Sequence, residues 1–293
     1  MILKNPLALD PCREAKRDPN TPRHSSATLL AMLGACCFLA GPAGIVHADE
    51  PPVFPPDQTI DCLHIKLELK VDIPEKAVQA RAAIDVQAMR DAGTITLDAA
   101  GLDVSAVRLT RHERTVDVDF VNDGERLAIT CDPPLAAGEA ARIEVDYTLD
   151  DPATGLHFFG PTDAQPDVPN LVWSQGQAIT NRYWFPCFDH PGERQTSELI
   201  VTAAKGNEVI SNGKLLSRKE NADGTVTFHW LQDKPHVAYL VTLVVGPFHL
   251  EEETWRGKPV RYYVHPKYKD DVRRSFGRTT AMLDFFSDMI GVE

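Results

Sequence analysis

A regular alternation of apolar and charged residues constrains this chain more than any other feature of its sequence. From position 63 to 71, Leu, Ile and Val occupy every second place, and His, Lys and Glu fill the places between. Successive side chains of a β-strand point to opposite faces of the sheet, so this pattern predicts a strand with one buried face and one solvated face. The alternation returns at residues 80–88 after a turn at residues 73–76, which completes a predicted hairpin.

Further strand-like segments extend along most of the chain. We predict strands at 94–97, 104–109, 115–120, 126–130, 142–149, 197–203, 208–211, 225–230, 237–248 and 261–264. Residues 122–125, 212–213 and 222–224 have the composition of hairpin turns. The nearly continuous apolar run at 240–245 predicts a strand that is covered on both faces. We therefore expect an all-β domain of about 200 residues, built as a sandwich or as paired curved sheets.

The C-terminal residues change from a period of two to a helical period. The apolar positions, at spacings of four, seven, three and four, are Val272, Phe276, Leu283, Phe286 and Ile290. This pattern predicts one amphipathic α-helix. An apolar stripe needs a surface that buries it, and two alternatives are open. The helix lies back on the sheet of this chain, or it begins a further domain that the chain does not contain.

The charge balance argues against nucleic acid as a partner. The 293 residues carry a formal net charge of −12, with 42 acidic and 30 basic side chains. A polyanion is repelled by such a chain, and the sequence has no basic stripe that would offer a local exception. We expect no nucleic-acid partner.

The first 48 residues have the features of an export signal. Basic residues up to Arg23 precede an apolar stretch at 27–39, which is too short to span a bilayer, and Val46-His47-Ala48 fits a cleavage site. The Pro-rich leader 49–57 follows. We expect export to the periplasm or the extracellular space. Two other interpretations are open. These residues carry a lipid-attachment signal that ends at Cys36, or they carry no targeting signal.

The alternative to cleavage after Ala48 is a lipid anchor. Residues 33–36 end in a cysteine and resemble a lipobox, which would attach a lipid to Cys36. Cleavage after Ala48 would instead leave Cys62, Cys131 and Cys187. In an oxidising compartment a Cys62–Cys131 disulfide would leave Cys187 free. The chain has no C-x-x-C pair, so a zinc ribbon is not expected.

The sequence contains no recognised catalytic or metal-binding motif. His112-Glu113 begins like H-E-x-x-H, but the second His is absent and the surrounding alternation predicts a strand or strand end. Two such ligands share a face only on a helix. Nucleophile-elbow, P-loop and dinucleotide motifs are absent as well. We assign no catalytic residue and no metal ligand.

The stretch from Trp173 to Pro191 is the remaining candidate site, because it combines aromatic, amide and charged residues between strand-like segments. Gln175 and Gln177 are two residues apart, so on an extended segment they would point the same way. A primary amide accepts a hydrogen bond through its oxygen and donates through its nitrogen. Such a pair could hold a peptide end, with an ammonium on the acceptors and a carbonyl on the donors. The alternative is that both amides hydrogen-bond neighbouring loops.

The remaining residues of the stretch are expected to have structural roles. Arg182 and Asp189 could pair across the turn made by Phe185-Pro186. Trp184 and Phe188 are expected to be core anchors, together with Phe185.

These residues resemble a known family. Gln175-Gly-Gln-Ala178, Arg182, Phe185-Pro186-Cys-Phe-Asp189 and Pro191 are similar to the signature of the N-terminal domain of the aminopeptidase N family of zinc metallopeptidases, which includes leukotriene hydrolase. Residues 154–156, 239–248 and 263–293 are similar to further parts of that family. The resemblance covers residues 57–293.

The resemblance implies a large curved, saddle-like β-sandwich at 58–262, followed by a linker and the first helix of a catalytic domain at 263–293. It implies that Gln175, Gln177 and Ala178 bind the α-amine of a peptide substrate with a free N-terminus. Gln177 stands where many members carry Glu, and a neutral amide holds an ammonium less strongly than a carboxylate does. The resemblance also implies a cis peptide bond between Gln177 and Ala178.

The catalytic motifs of the family are absent from the sequence. Neither its G-x-M-E-N motif nor its H-E-x-x-H motif occurs, so zinc is expected in the full-length protein and not in this chain. The expected partners are the peptide substrate and the missing catalytic domain, and the chain alone is expected to be inactive. The alternative is a free-standing, non-catalytic β domain that binds peptides or proteins outside the cytoplasm.

Overall fold

A computed structural model describes residues 57–292 of the chain. The predicted export signal, the lipid-attachment alternative at Cys36 and nearly all of the Pro-rich leader lie outside the described residues. They stay predictions.

The described residues form an all-β fold with α-helices only near the C-terminal end, which confirms the predicted fold class. Seventeen strands are present among residues 57–292: β1 (Ile60–Asp72), β2 (Ala77–Ala88), β3 (Ala92–Asp98), β4 (Asp103–Arg111), β5 (Arg114–Asp117), β6 (Phe120–Asn122), β7 (Arg126–Leu135), β8 (Ala140–Asp150), β9 (Leu156–Phe159), β10 (Leu171–Ser174), β11 (Arg194–Ala204), β12 (Glu208–Ser211), β13 (Lys214–Glu220), β14 (Thr225–Val237), β15 (Leu243–Gly246), β16 (His249–Trp255) and β17 (Lys258–Val264).

An eight-stranded sheet dominates the fold. Its strand order is β13-β14-β11-β1-β2-β8-β4-β5. The β1–β11 pair is parallel, and the other pairs are antiparallel. In β1 the apolar residues from Ile65 onward are buried while the charged residues between them face solvent, as the alternation predicts. Burial of one face drives this sheet onto the rest of the core.

Three smaller sheets complete the described structure. They have the orders β12-β15-β10-β9, β3-β7-β6 and β16-β17. Buried apolar residues of the eight-stranded, four-stranded and three-stranded sheets form one hydrophobic cluster. The candidate stretch leaves the four-stranded sheet at Ser174 and returns to the eight-stranded sheet at Arg194.

The prediction of one continuous strand at 237–248 is wrong. A short 3₁₀ turn at Ala238–Leu240 separates β14 from β15, and Leu240 is exposed. A continuous apolar run gives no period, so it could not reveal this break. The predicted strand at 115–120 is likewise two strands, β5 and β6. The predicted hairpin turns at 122–125 and 222–224 are confirmed, because each joins two paired antiparallel strands. The predicted hairpin at 212–213 is wrong, because it connects β12 of the four-stranded sheet to β13 of the eight-stranded sheet.

The predicted C-terminal helix is two helices, α1 (Val272–Phe276) and α2 (Thr279–Ile290). Gly277 ends α1, in keeping with the low helix propensity of glycine. Val272 is buried and Phe276 stacks on Tyr262, but the apolar side chains of α2, Phe286 and Ile290 among them, are largely exposed. None of the helices within residues 57–292 has the length and apolar character needed to cross a membrane.

The predicted Cys62–Cys131 disulfide is absent. Cys62 lies in the eight-stranded sheet and Cys131 in the three-stranded sheet, and both are free buried thiols, as is Cys187. Burial raises the pKa of all three thiols, because the thiolate would lose its hydration. These cysteines are packing residues in this structure.

Candidate functional site

The amide loop, defined as residues 175–180, lies where β10 ends and carries both predicted amides. β10 stops at Ser174, and residues 177–180 form a turn. The extended geometry behind the prediction of parallel amides therefore does not continue through Gln177. The Gln177–Ala178 peptide bond is cis, as the resemblance implies.

Backbone hydrogen bonds close the amide loop on itself and tie it to the preceding turn. The Gln175 amide donates to the Gly155 carbonyl at 2.8 Å, and the Thr180 amide donates to the Gly176 carbonyl at 3.0 Å. The Thr180 hydroxyl donates to the Gln175 carbonyl. Both ends of the loop are thus fixed by main-chain groups.

Two glycines allow the backbone to approach closely at this point. A Cβ on Gly176 would lie 2.6 Å from the Asn181 Oδ1 and would collide with the Tyr239 carbonyl. Gly155 has a φ of +83°, and a Cβ there would collide with the Thr180 carbonyl. Any other residue at either position would push the loop away from its support.

Asn181 anchors the amide loop from below. Its side chain is fully buried, and its Nδ2 donates to the carbonyls of Ala238 at 2.6 Å and Val241 at 3.1 Å. Its Oδ1 accepts from the Trp184 indole N–H at 2.7 Å. One buried amide thus joins the loop to the segment between β14 and β15. This residue is not evident from the sequence, because an Asn between polar and aromatic neighbours carries no distinguishing pattern.

The three predicted amine-binding positions, Gln175, Gln177 and Ala178, are exposed above this support. Within residues 57–292, neither glutamine side chain makes a hydrogen bond. The alternative prediction, in which both amides hydrogen-bond neighbouring loops, is therefore wrong. Both amides are available to a ligand.

Arg182 and Asp189 pair as predicted, and a third residue joins them. Arg182 Nε lies 3.4 Å from Asp189 Oδ2, and its Nη1 lies 3.0 Å from Asp98 Oδ1. The Asp189 amide donates to Asp98 Oδ2 at 3.0 Å. Burial raises the pKa of Asp189, and the bonds and charge of Arg182 partly offset that rise. The cluster is architectural, since it fixes the turn to β3.

The aromatic and Pro residues of the signature divide between core and surface. Trp184 and Phe185 are completely buried and meet edge to face at 4.5 Å between ring centroids. Pro186 is buried beside them, whereas Pro191 is exposed. The Trp184 carbonyl accepts from the buried Tyr147 hydroxyl at 2.9 Å, which ties the stretch to β8.

The described residues do not fit a zinc ion. Among residues 57–292, no group of three or more His, Cys, Asp or Glu side chains lies close enough to hold a metal. His112 and Glu113 lie in the turn between β4 and β5, with φ values of 47° and 63°, and not on a helix. The chemistry of a zinc peptidase is assigned to no residue of this segment.

Comparison with known proteins finds a matching protein family and several similar proteins. The Peptidase M1 N-terminal domain matches residues 61–240. Human aminopeptidase RNPEPL1 is 31% identical over 127 residues, which are 43% of this chain and 17% of that protein. Leukotriene A-4 hydrolase from Xenopus laevis is 22% identical over 249 residues, or 83% of this chain and 40% of that protein.

A solved structure shares the fold. It is an M1 zinc metallopeptidase from Deinococcus radiodurans bound to a Tyr-Ser-Ala substrate, with a TM-score of 0.61 and 23% identity over 80% of this chain and 54% of that one. The chain thus spans little more than half the length of that structure and less than half of either relative. The domain match, covering more than half of the chain, shows that it belongs to the M1 family of peptidases and carries the N-terminal domain of that family.

Proposed function

We propose that this chain binds the free amino end of a peptide as the N-terminal part of a zinc aminopeptidase. The observation that carries the proposal is the pair of unengaged, exposed amides, Gln175 and Gln177, on a loop that is fixed from beneath by Asn181. A loop already held in one conformation loses little entropy when a ligand arrives.

The amides supply the hydrogen bonds that a peptide end requires. Their oxygens accept from the substrate ammonium, and their N–H groups donate to its first carbonyl. No carboxylate replaces Gln177 in the loop, so the ammonium is held by neutral acceptors and less strongly than by an ion pair. The net charge of −12 adds a weak, long-range attraction for a cation.

Hydrolysis belongs, in this proposal, to a catalytic domain that carries the zinc and packs beside the amide loop. Zinc held in such a domain would supply a Lewis acid for the scissile carbonyl and an activated water. The exposed apolar side chains of α2, Phe285, Phe286 and Met289 among them, support a partner domain at the C-terminal helices. We expect this chain alone to release no amino acid from an alanyl chromogenic substrate.

Peptide binding by the full chain tests the amine-binding role. Triglycine amide should bind, and its N-acetylated form should bind more weakly or not at all, when both are followed by ligand-observed NMR. Gln175→Ala and Gln177→Ala should each weaken binding, whereas Gln79→Ala, an exposed glutamine on β2, is the matched control and should not. Equal binding of the acetylated and free peptides would sink the proposal.

A second candidate is a free-standing binding domain without a catalytic partner. Buried Val272 and the stacking of Phe276 on Tyr262 favour it, because they pack the start of the helical region onto this chain. Hydrogen exchange of the full chain separates the two candidates. Protection of α2 as strong as that of β1 supports the free-standing domain, and fast exchange supports a missing partner.

Export completes the proposal. The apolar stretch at 27–39 and the small residues before Asp49 support a cleaved signal, with lipid attachment at Cys36 as the alternative. The intact mass of the protein recovered from an expressing cell distinguishes cleavage after Ala48, a lipid on Cys36 and an unprocessed chain.

A further inference from the structure

An exposed aromatic patch, formed by His157, Phe159 and Trp173, lies on the four-stranded sheet beside the amide loop. The Trp173 ring is nearly parallel to that of Phe159, at 13° and 6.5 Å between centroids, and lies 5.0 Å from the His157 ring. Trp173 is 37% exposed and Phe159 is 46% exposed. The exposed parts of these rings leave apolar surface in water, which is unfavourable without an occupant.

The strand register makes this patch part of one continuous face. Trp173 pairs with His157 on one side and with Val244 on the other, and Val244 pairs with Ile210. Paired residues of an antiparallel sheet point to the same face, so one row crosses all four strands, with an imidazole on β9 and apolar side chains on the other three. Val244 and Ile210 are both partly exposed.

Gln175 lies immediately beyond this row. It follows Trp173 by two residues, about 7 Å along the chain, and its amide bonds the Gly155 carbonyl next to β9. A peptide held by its amino end at the amide loop advances about 3.4 Å per extended residue. The side chains of its first two residues therefore come within reach of the patch.

We propose that the aromatic patch is a subsite for a large apolar side chain near the amino end of the bound peptide, with Trp173 as its main contact. This proposal rests on the proposed function and narrows its substrate class to peptides that begin with an apolar residue. Aromatic and aliphatic side chains gain most from contact with exposed rings, and glycine gains nothing.

The intrinsic fluorescence of the full chain locates the contact. The chain has four Trp, and Trp184, Trp230 and Trp255 are 0%, 4% and 8% exposed, so acrylamide quenches Trp173 selectively. Phe-Gly-Gly amide should protect Trp173 from quenching, and triglycine amide should protect it far less. If quenching of Trp173 decreases as the protein concentration is raised in the absence of peptide, a second copy of the chain covers the patch. That result would overturn the proposal.

Dissociation constants measured by ligand-observed NMR test how much the contact with the patch contributes to binding. Phe-Gly-Gly amide should bind about tenfold more tightly than triglycine amide, since roughly half of a Phe side chain is buried. Trp173→Ala should remove that preference and leave triglycine binding unchanged, and Phe159→Ala is a second variant that should reduce it.

The outcomes separate this inference from the proposed function. If triglycine amide binds in a manner that needs its free amine, but the Phe peptide gains nothing or Trp173→Ala keeps the gain, the amide loop stands and the subsite is refuted. If no peptide binds, or if acetylation makes no difference, the proposed function fails and the subsite fails with it.

Discussion

Asn181→Ala is the substitution that most directly tests how the amide loop is held. It removes three hydrogen bonds whose partners, Ala238, Val241 and Trp184, are all buried. A buried polar group left without a partner costs about 1–3 kcal/mol. The Ala238 carbonyl keeps a second donor, the Val241 amide at 2.9 Å, so it loses least.

The expected loss is therefore about 2–4 kcal/mol of unfolding free energy, measured by urea denaturation. It should be accompanied by faster hydrogen exchange at the amides of Gln175 and Thr180, which close the loop. Free triglycine amide should also bind more weakly, because the loop is no longer fixed before the ligand arrives.

Asn212→Ala is the matched control for this variant. Asn212 also hydrogen-bonds this segment. Its Nδ2 donates to the Leu240 carbonyl at 3.0 Å, and its Oδ1 accepts from the Thr242 amide at 2.7 Å, but the residue is only partly buried. Water can replace its bonds, so its loss should stay at or below about 1 kcal/mol. An equal loss in both variants, or unchanged exchange at Gln175 and Thr180 in Asn181→Ala, would refute the anchoring role.

Three further predictions concern the support of the loop and the pH response of the fold. Gly176→Ala places a Cβ against a backbone carbonyl and 2.6 Å from a buried amide oxygen, so it should destabilise the chain by about 1–3 kcal/mol in urea denaturation. Arg182→Met leaves the buried Asp189 carboxylate without its cation and should cost about 3–5 kcal/mol at neutral pH; a change below 1 kcal/mol would contradict the cluster. Burial, and to a lesser extent the nearby charge of Arg194, lowers the pKa of His236, whose ring bonds the Ser197 hydroxyl at 2.9 Å. The folded state then resists protonation more than the unfolded state, so this residue's contribution to stability is present above pH 6.5 and is lost as pH falls through the lowered pKa. The difference in unfolding free energy between the protein and His236→Gln should shrink over that range, and a pH-independent difference would count against it.

The parts of the fold that alternate were predictable from the sequence, and the parts without a period were not. β1 and β2 each have one buried face, so their periodicity shows in the residues. β13 is an edge strand with almost every side chain exposed, and nothing selects apolar residues at every second place. β9 and β10 are four residues each and flank a Pro-broken segment, too short for a period to appear.

The candidate site was predictable in its residues but not in its support. The spacing of Arg182 and Asp189 suggested a pair across a short turn, and the structure confirms that pair. Asp98 completes the cluster from 91 residues away, a separation that no local pattern reveals. The same holds for Asn181, whose partners follow it by 57 and 60 positions.

The affinity expected of this chain follows from how little of a site it contains. Two hydrogen bonds to an ammonium contribute about 1.5–3 kcal/mol each, and the lost translational and rotational freedom on association costs at least about 4 kcal/mol. These figures leave at most about 2 kcal/mol, so even with the loop already fixed the dissociation constant for triglycine amide should lie well above about 1 mM, which would need roughly 4 kcal/mol. Titration by ligand-observed NMR measures this range directly. A micromolar value would mean that the chain binds the peptide through more than the two amides, and the division of the site between this domain and a catalytic partner would then be wrong.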